Sequence, residues 1–187
     1  MDLISIIILV IIVVIVLGVI LWFVGSYNRF MNLRNASEST LGQIKVAMKK
    51  RLDMIEQLLG AVKSYAKFEQ ETLTKITSMR TAVAKGGVGD VNAIDKESRA
   101  LIGNLYAVAE AYPNLKTSET VTSLMTSING METEIGRQRY TYNNIAQQLN
   151  TMVDTIPSNF VAMIAGIRKL EYLEFEEEIK KAPKIEF

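Results

Sequence analysis

The sequence predicts an all-α protein: an N-terminal transmembrane helix followed by an elongated antiparallel four-helix bundle. Three observations carry this. Leu3 to Val24 is an almost pure aliphatic run. Beyond it, apolar residues recur every three or four positions over most of the chain, the period of a helix face. Finally, the 187 residues include only 3 Pro and 11 Gly, few for a turn-rich β protein.

The first element is the aliphatic run. It has 22 residues, 18 of them Ile, Val or Leu, interrupted only by Ser5, Gly18, Trp22 and Phe23. As a helix it is about 33 Å long, against a hydrocarbon core of about 30 Å. Its aliphatics favour insertion by very roughly 5–10 kcal/mol. Trp22 and Tyr27 stand at the far end, where interfacial aromatics belong. A cleaved signal peptide has a basic start and a shorter apolar core. Here only Met1 and Asp2 precede a much longer run, so residues 1–26 are expected to remain as a single-pass anchor. No Lys or Arg precedes the span, whereas Arg29 and Arg34 follow it closely. Basic flanks favour the cytoplasmic side. The expected placement is the cell membrane, with the N-terminus outside and the bundle in the cytoplasm.

Residues 27–182 are expected to form the bundle domain, and 183–187 a frayed tail. From Leu41 a seam steps alternately by three and four through Ile44, Met48, Arg51, Ile55, Leu58, Val62, Tyr65, Glu69, Thr72, Ile76, Met79 and Val83. No Pro interrupts residues 24–83, so the anchor is expected to continue into a bundle helix that runs to Val83. Gly86-Gly87-Val88-Gly89-Asp90 then reads as a flexible connection.

A second helix is predicted from about Val91 to Tyr112, with Ile94, Leu101, Leu105, Val108 and Tyr112 on one stripe, ended by Pro113. A third begins near Ser118 and carries Val121, Leu124, Ile128, Met131, Ile135, Gln138, Tyr142, Ile145, Leu149, Met152 and Ile156 up to Pro157. A last helix, capped near Ser158, is expected to place Phe160, Ile164 and Ile167 on one face. Residues 171–181 are charge-rich.

Composition limits the chemistry. There is no Cys and no His. Disulfides, thiolate metal sites and Cys nucleophiles are thereby excluded, and the commonest general base is missing. The formal net charge is +1, and no recognition motif or aromatic platform appears, so nucleic-acid binding is not expected. Residues 25–85 hold 11 Lys or Arg against 5 Asp or Glu, a basic stretch beside the anchor that suits anionic headgroups.

Several short segments resemble the LemA family. They are Tyr27-Asn28; Lys50-Arg51-Leu52-Asp53-Met54-Ile55; Tyr65-Ala66-Lys67 with Glu69; Arg80; and Glu110-Ala111-Tyr112-Pro113-Asn114-Leu115-Lys116. Further along come Glu132, Ile135, Arg139, Tyr142-Asn143, Asn150 and Pro157. The Tyr-Pro-x-Leu-Lys segment and the run from Glu132 to Asn143 are the most specific. The sequence departs from the family pattern after Ile55, where Glu56-Gln57-Leu58 replaces the usual Pro-Asn-Leu. The resemblance implies a membrane-anchored helical bundle whose molecular activity is largely unassigned. Some relatives act at magnetosome membranes, which makes a membrane-organising role a family-level expectation.

The candidate site is therefore a polar network between helices: Arg51, Glu69, Glu110, Glu132 and Arg139. Arg51 is expected to pair with a carboxylate such as Glu132, and Arg139 with Glu69 or Glu110. Such pairs fix helix register at little net gain. Tyr27, Asn28, Tyr112, Pro113, Tyr142, Asn143 and Asn150 complete the positions that carry the resemblance. No catalytic residue, metal site or cofactor is predicted, and the chain is not expected to be an enzyme. The expected partners are the lipid bilayer and unidentified proteins, with self-association included. The competing reading is a small-ligand or cation sensor, or an enzyme, using the inter-helix polar site; an all-carboxylate site for a hard cation would draw on Glu69, Glu110, Glu132 and Glu134.

Overall fold

The computed structural model describes residues 2–63, 65 and 70–174. It is a helical bundle with an N-terminal apolar helix. Among the described residues six helices follow one another: α1 (Leu3–Val62), α2 (Gln70–Lys85), α3 (Val88–Ala111), α4 (Pro113–Lys116), α5 (Glu119–Asp154) and α6 (Ser158–Ala165). No strand occurs among the described residues. α1 is unbroken across Gly25 and Ser26, as the absence of Pro leads one to expect. The chain divides into two compact units, one of residues 1–38 and 144–170, the other of 39–143 and 171–187.

In the first unit, the apolar start of α1 is long and apolar enough to cross a membrane, and its side chains lie open to the surroundings. A small core gathers Phe30, Leu149, Val161 and Ala162, with Phe23, Leu33, Met152, Val153, Ile167 and Leu170 packed against it. The apolar stripe that the sequence places on α6 is not its buried face. Phe160 and Ile164 are exposed, and Val161 and Ala162 are buried instead. In eight residues that are nearly all apolar, periodicity cannot select a face. Small Val161 and Ala162 allow the close approach to Phe30. Gly166 ends α6 at φ 65°, and Ile167 N–H reaches the Ala162 carbonyl at 2.9 Å. A left-handed glycine after a helix closes its last carbonyls in this way.

The second unit buries Ile44, Met48, Leu52, Ile55, Leu58 and Val62 of α1 against Ile76, Met79 and Val83 of α2, Val91, Ile94 and Leu105 of α3, and Val121, Ile128 and Ile135 of α5. The single helix predicted over 41–83 is in fact two. α1 ends at Val62, whose carbonyl accepts the Tyr65 N–H at 2.9 Å, and α2 begins at Gln70. Val62 and Ile76 are two heptads apart, so the apolar phase runs through the break unchanged. No Gly or Pro in 63–69 marks it. α2 turns back along α1, with Arg80 Nη2 at 2.6 Å from both Asp53 and Glu56.

The glycine-rich segment is a tight turn and not a loose connection. Only Gly86 and Gly87 separate α2 from α3. A Cβ at Gly86 would lie 2.4 Å from the Asp90 Cβ and 2.8 Å from the Ala82 carbonyl oxygen. Asp90 Oδ2 accepts the Gly87 N–H at 2.8 Å and caps the start of α3.

Candidate functional site

Three helices of the second unit bring charged side chains into their common core. Arg51 arrives on the seam of α1 and is fully buried. Its Nη1 lies 2.5 Å from Glu132 Oε1 on α5. Its Nη2 lies 2.9 Å from Asp95 Oδ1 on α3 and also donates to the Ser98 hydroxyl. Ser98 is itself buried and turned back onto the Ile94 carbonyl at 2.7 Å. The structure thus brings Arg51 and Glu132 together.

Asp95 is the centre of the cluster. Besides Arg51, its Oδ2 meets Arg139 Nη2 of α5 at 2.8 Å and accepts a hydrogen bond from Arg99 Nε at 2.9 Å. Arg99 closes the ring through Nη2, 2.9 Å from Glu132 Oε2. The side chains of Asp95 and Arg139 are 8% and 4% exposed, so bulk water screens them little. Burial alone pushes the Asp95 carboxyl up. Arg51, Arg139 and Arg99 together outweigh burial and hold it below the usual carboxylate range.

An ionised Asp95 ringed by three guanidiniums is poorly suited to act as a base, and the Ser98 hydroxyl near it is turned onto the Ile94 and Asp95 carbonyls. The cluster's chemistry is that of a register lock. An intact buried ion network gains little over an apolar core, but removing one member strands the others at several kcal/mol. Three helices whose buried charges pair in this alignment are held to it.

The remaining predicted residues fall as follows. Glu69 lies outside the described residues. Glu110 is exposed on α3, and Arg139 pairs with Asp95 in its place. Among the described residues no group of three or more Asp or Glu takes metal-holding geometry. Tyr27 and Asn28 are exposed on α1. Pro113 opens α4, and the Tyr112 ring before it lies 5.7 Å from the Tyr65 ring. Tyr142 is buried, and burial together with nearby Glu171 raises its phenol.

Asn143 and Asn150 have a common chemistry. Asn143 donates to the Leu173 carbonyl at 2.8 Å and accepts the Leu173 N–H at 2.9 Å. Asn150 does the same to Leu170, at 2.9 and 2.8 Å. Each amide pairs with both the backbone N–H and the backbone carbonyl of one residue in the segment after α6. In the second unit this segment seats Leu173, 2% exposed, and its next N–H reaches Asn92 Oδ1 at 3.1 Å.

Sequence reasoning passed over Asp95, Ser98 and Arg99. A signal was there. Val91, Asp95, Ser98, Ile102, Leu105 and Ala109 step by four and three along α3, and the structure buries all of them. Reading the stripe from Ile94 and Leu101 missed the polar pair on it.

Comparison with known proteins agrees with this architecture. Protein LemA of Metamycoplasma hominis is 30% identical over 142 residues, covering 75% of this chain and 65% of that protein. Magnetosome protein MamQ 2 of Paramagnetospirillum magneticum is 24% identical over 175 residues, covering 79% of this chain and 64% of that protein. Magnetosome protein MamQ of Magnetospirillum gryphiswaldense is 22% identical over 173 residues, covering 78% and 64%. The chain therefore spans a little under two thirds of the relatives it matches. Every member of the buried network falls inside residues 40–187, the stretch matched by the LemA family model, and the chain belongs to the LemA family.

Proposed function

We propose that this chain is a membrane-anchored scaffold that works through protein contacts, self-association among them, with its N-terminus outside and its bundle on the cytoplasmic side. The observation that carries the reading is α1. It begins as a charge-free, fully exposed aliphatic helix and runs on without a break as a bundle helix. The only basic residues within ten positions of the span are Arg29 and Arg34, on its C-terminal side. Two further features support it. The charged residues gathered in the bundle core pair with one another, a structural use of charge. A shallow groove of about 550 Å³ on the second unit, lined by Gly42, Val46, Lys50, Met131 and Glu134, offers a mixed surface of the sort that protein partners use. Relatives named as magnetosome proteins fit the membrane-organising version of this role that the family resemblance implies.

The test is topology followed by crosslinking. The chain has no Cys, so single cysteines at Asp2 and Val88 report side directly. A membrane-impermeant thiol reagent on intact cells is expected to label position 2 and spare position 88. Labelling at 88 alone reverses the orientation and moves the search for partners outside. Crosslinking in membranes is expected to trap a stoichiometric partner or a second copy; a chain that stays single under efficient crosslinking sinks the scaffold reading.

A further inference from the structure

Within the unit of residues 1–38 and 144–170, α6 has two unlike faces. Val161 and Ala162 are buried, while Phe160, Met163 and Ile164 are 56%, 76% and 73% exposed. Ile156, in the turn before α6, is 78% exposed. Beyond the anchor, the other exposed large apolar side chains among the described residues are spread along the chain, with Tyr65 and Tyr112 meeting as a pair; these four fall within nine residues. Scattered exposure is ordinary, whereas a contiguous patch marks a contact.

Three features identify what covers this patch. The first is position. The buried face of α6 packs into the cluster of Phe30, and Phe23, near the end of the aliphatic run, packs against that same cluster. α6 therefore sits where the anchor's apolar stretch ends. The second is composition. From Thr155 to Ile167, thirteen residues carry no Asp, Glu, Lys or Arg. The third is the charged border. Arg168 and Lys169 follow at once, and with Arg34, Glu38, Gly166 and Ile167 they line a cleft of about 320 Å³ in this unit. Lys169 meets Asp154 at 2.7 Å and Arg34 meets Glu38 at 3.2 Å; Arg29 and Arg168 leave the border positive.

We infer that α6 and the turn before it form a second membrane contact, laid in the boundary between acyl chains and headgroups beside the end of the anchor. Ile156, Phe160, Met163 and Ile164 enter the acyl edge, and Arg168 and Lys169 stand at the level of the lipid phosphates. The inference rests on residues 3–24 spanning the bilayer. Phe23 and Arg29 are six residues apart on α1, about 9 Å of helix. That matches the depth of about 5–10 Å to which interfacial helices bury their apolar side. Basic residues flanking an apolar face complement anionic headgroups.

The experiment uses the full chain in vesicles of phosphatidylcholine with phosphatidylglycerol. Nitroxides are placed at Val13→Cys, inside the span, and Met163→Cys, on the open face of α6. Accessibility to oxygen, which concentrates in lipid, is compared with accessibility to a water-soluble nickel complex. Both positions are expected to favour oxygen, with Met163 the shallower. A lipid-like Val13 with a water-like Met163 overturns the α6 contact and leaves the anchor standing. Water-like values at both positions overturn the anchor reading and the contact with it. A Met163 label shielded from both agents and broadened by a neighbouring label means that a second copy covers the face, which also overturns the inference.

Discussion

Asp95 Oδ2 on α3 lies 2.8 Å from Arg139 Nη2 on α5, while Oδ1 of the same carboxylate holds Arg51 of α1 at 2.9 Å. One side chain thus joins three helices, and its protonation state matters to all of them. Because its folded pKa is lowered, ionised Asp95 contributes stability that is fully present above its ordinary value near 3.8 and is lost as pH falls through the folded value. Urea unfolding of the full chain in detergent micelles is expected to weaken below about pH 4 for this reason. Asp95→Asn should cost about 3–5 kcal/mol at pH 7, since it strands buried guanidiniums, and should flatten the acid limb. Parallel pH profiles for the two proteins would show that Asp95 does not carry this dependence.

Arg51 and Glu132 are expected to couple. In a double-mutant cycle with Arg51→Met and Glu132→Gln, the interaction energy should exceed about 1 kcal/mol, the range found for contacting residues in one network. Additivity within about 0.3 kcal/mol would remove this pair from the register lock.

Asn143→Ala removes both hydrogen bonds to Leu173 and leaves a backbone amide without its partner. Hydrogen exchange at the Leu173 amide should accelerate at least tenfold, and stability should fall by about 1–3 kcal/mol. An unchanged exchange rate at Leu173 would mean that its buried side chain and the Asn92 and Asn150 contacts hold the segment without Asn143.

Gly86→Ala places a Cβ where Asp90 and the Ala82 carbonyl already stand. The turn must open, at an expected cost of about 1–3 kcal/mol. Gly87→Ala, where nothing lies within 4 Å of the added atom, should cost less. Equal melting temperatures for the two variants would contradict the close packing of this turn.

The helices were legible because burial follows their period. Ile44, Met48, Ile55, Leu58, Ile128 and Ile135 lie on the predicted seams and are buried. The reversal after Val62 was hidden because the apolar phase on its two sides agrees. The face of α6 was hidden because the six residues from Phe160 to Ala165 are all apolar and have no polar side to contrast with. In the site, Arg51, Glu132 and Arg139 stood out as charges on or beside apolar ladders. Asp95 did not, because an acid beside Ile94 looks like the edge of a stripe until α3 is read from Val91. Leu173 could not be read at all. It is buried by contacts that two distant asparagines arrange for a segment with no period of its own.

The charge count of the buried cluster has a consequence for how such a sequence can drift. Arg51, Arg99 and Arg139 share two carboxylates, so exchanging either carboxylate alone leaves three guanidiniums against a single counter-charge. A lineage that moves to an apolar version of this core must pass through poorly folded intermediates or change several codons together. The network is thus a kinetic trap in sequence space. It can persist because the paths away from it are steep, even where an apolar core would fold as well.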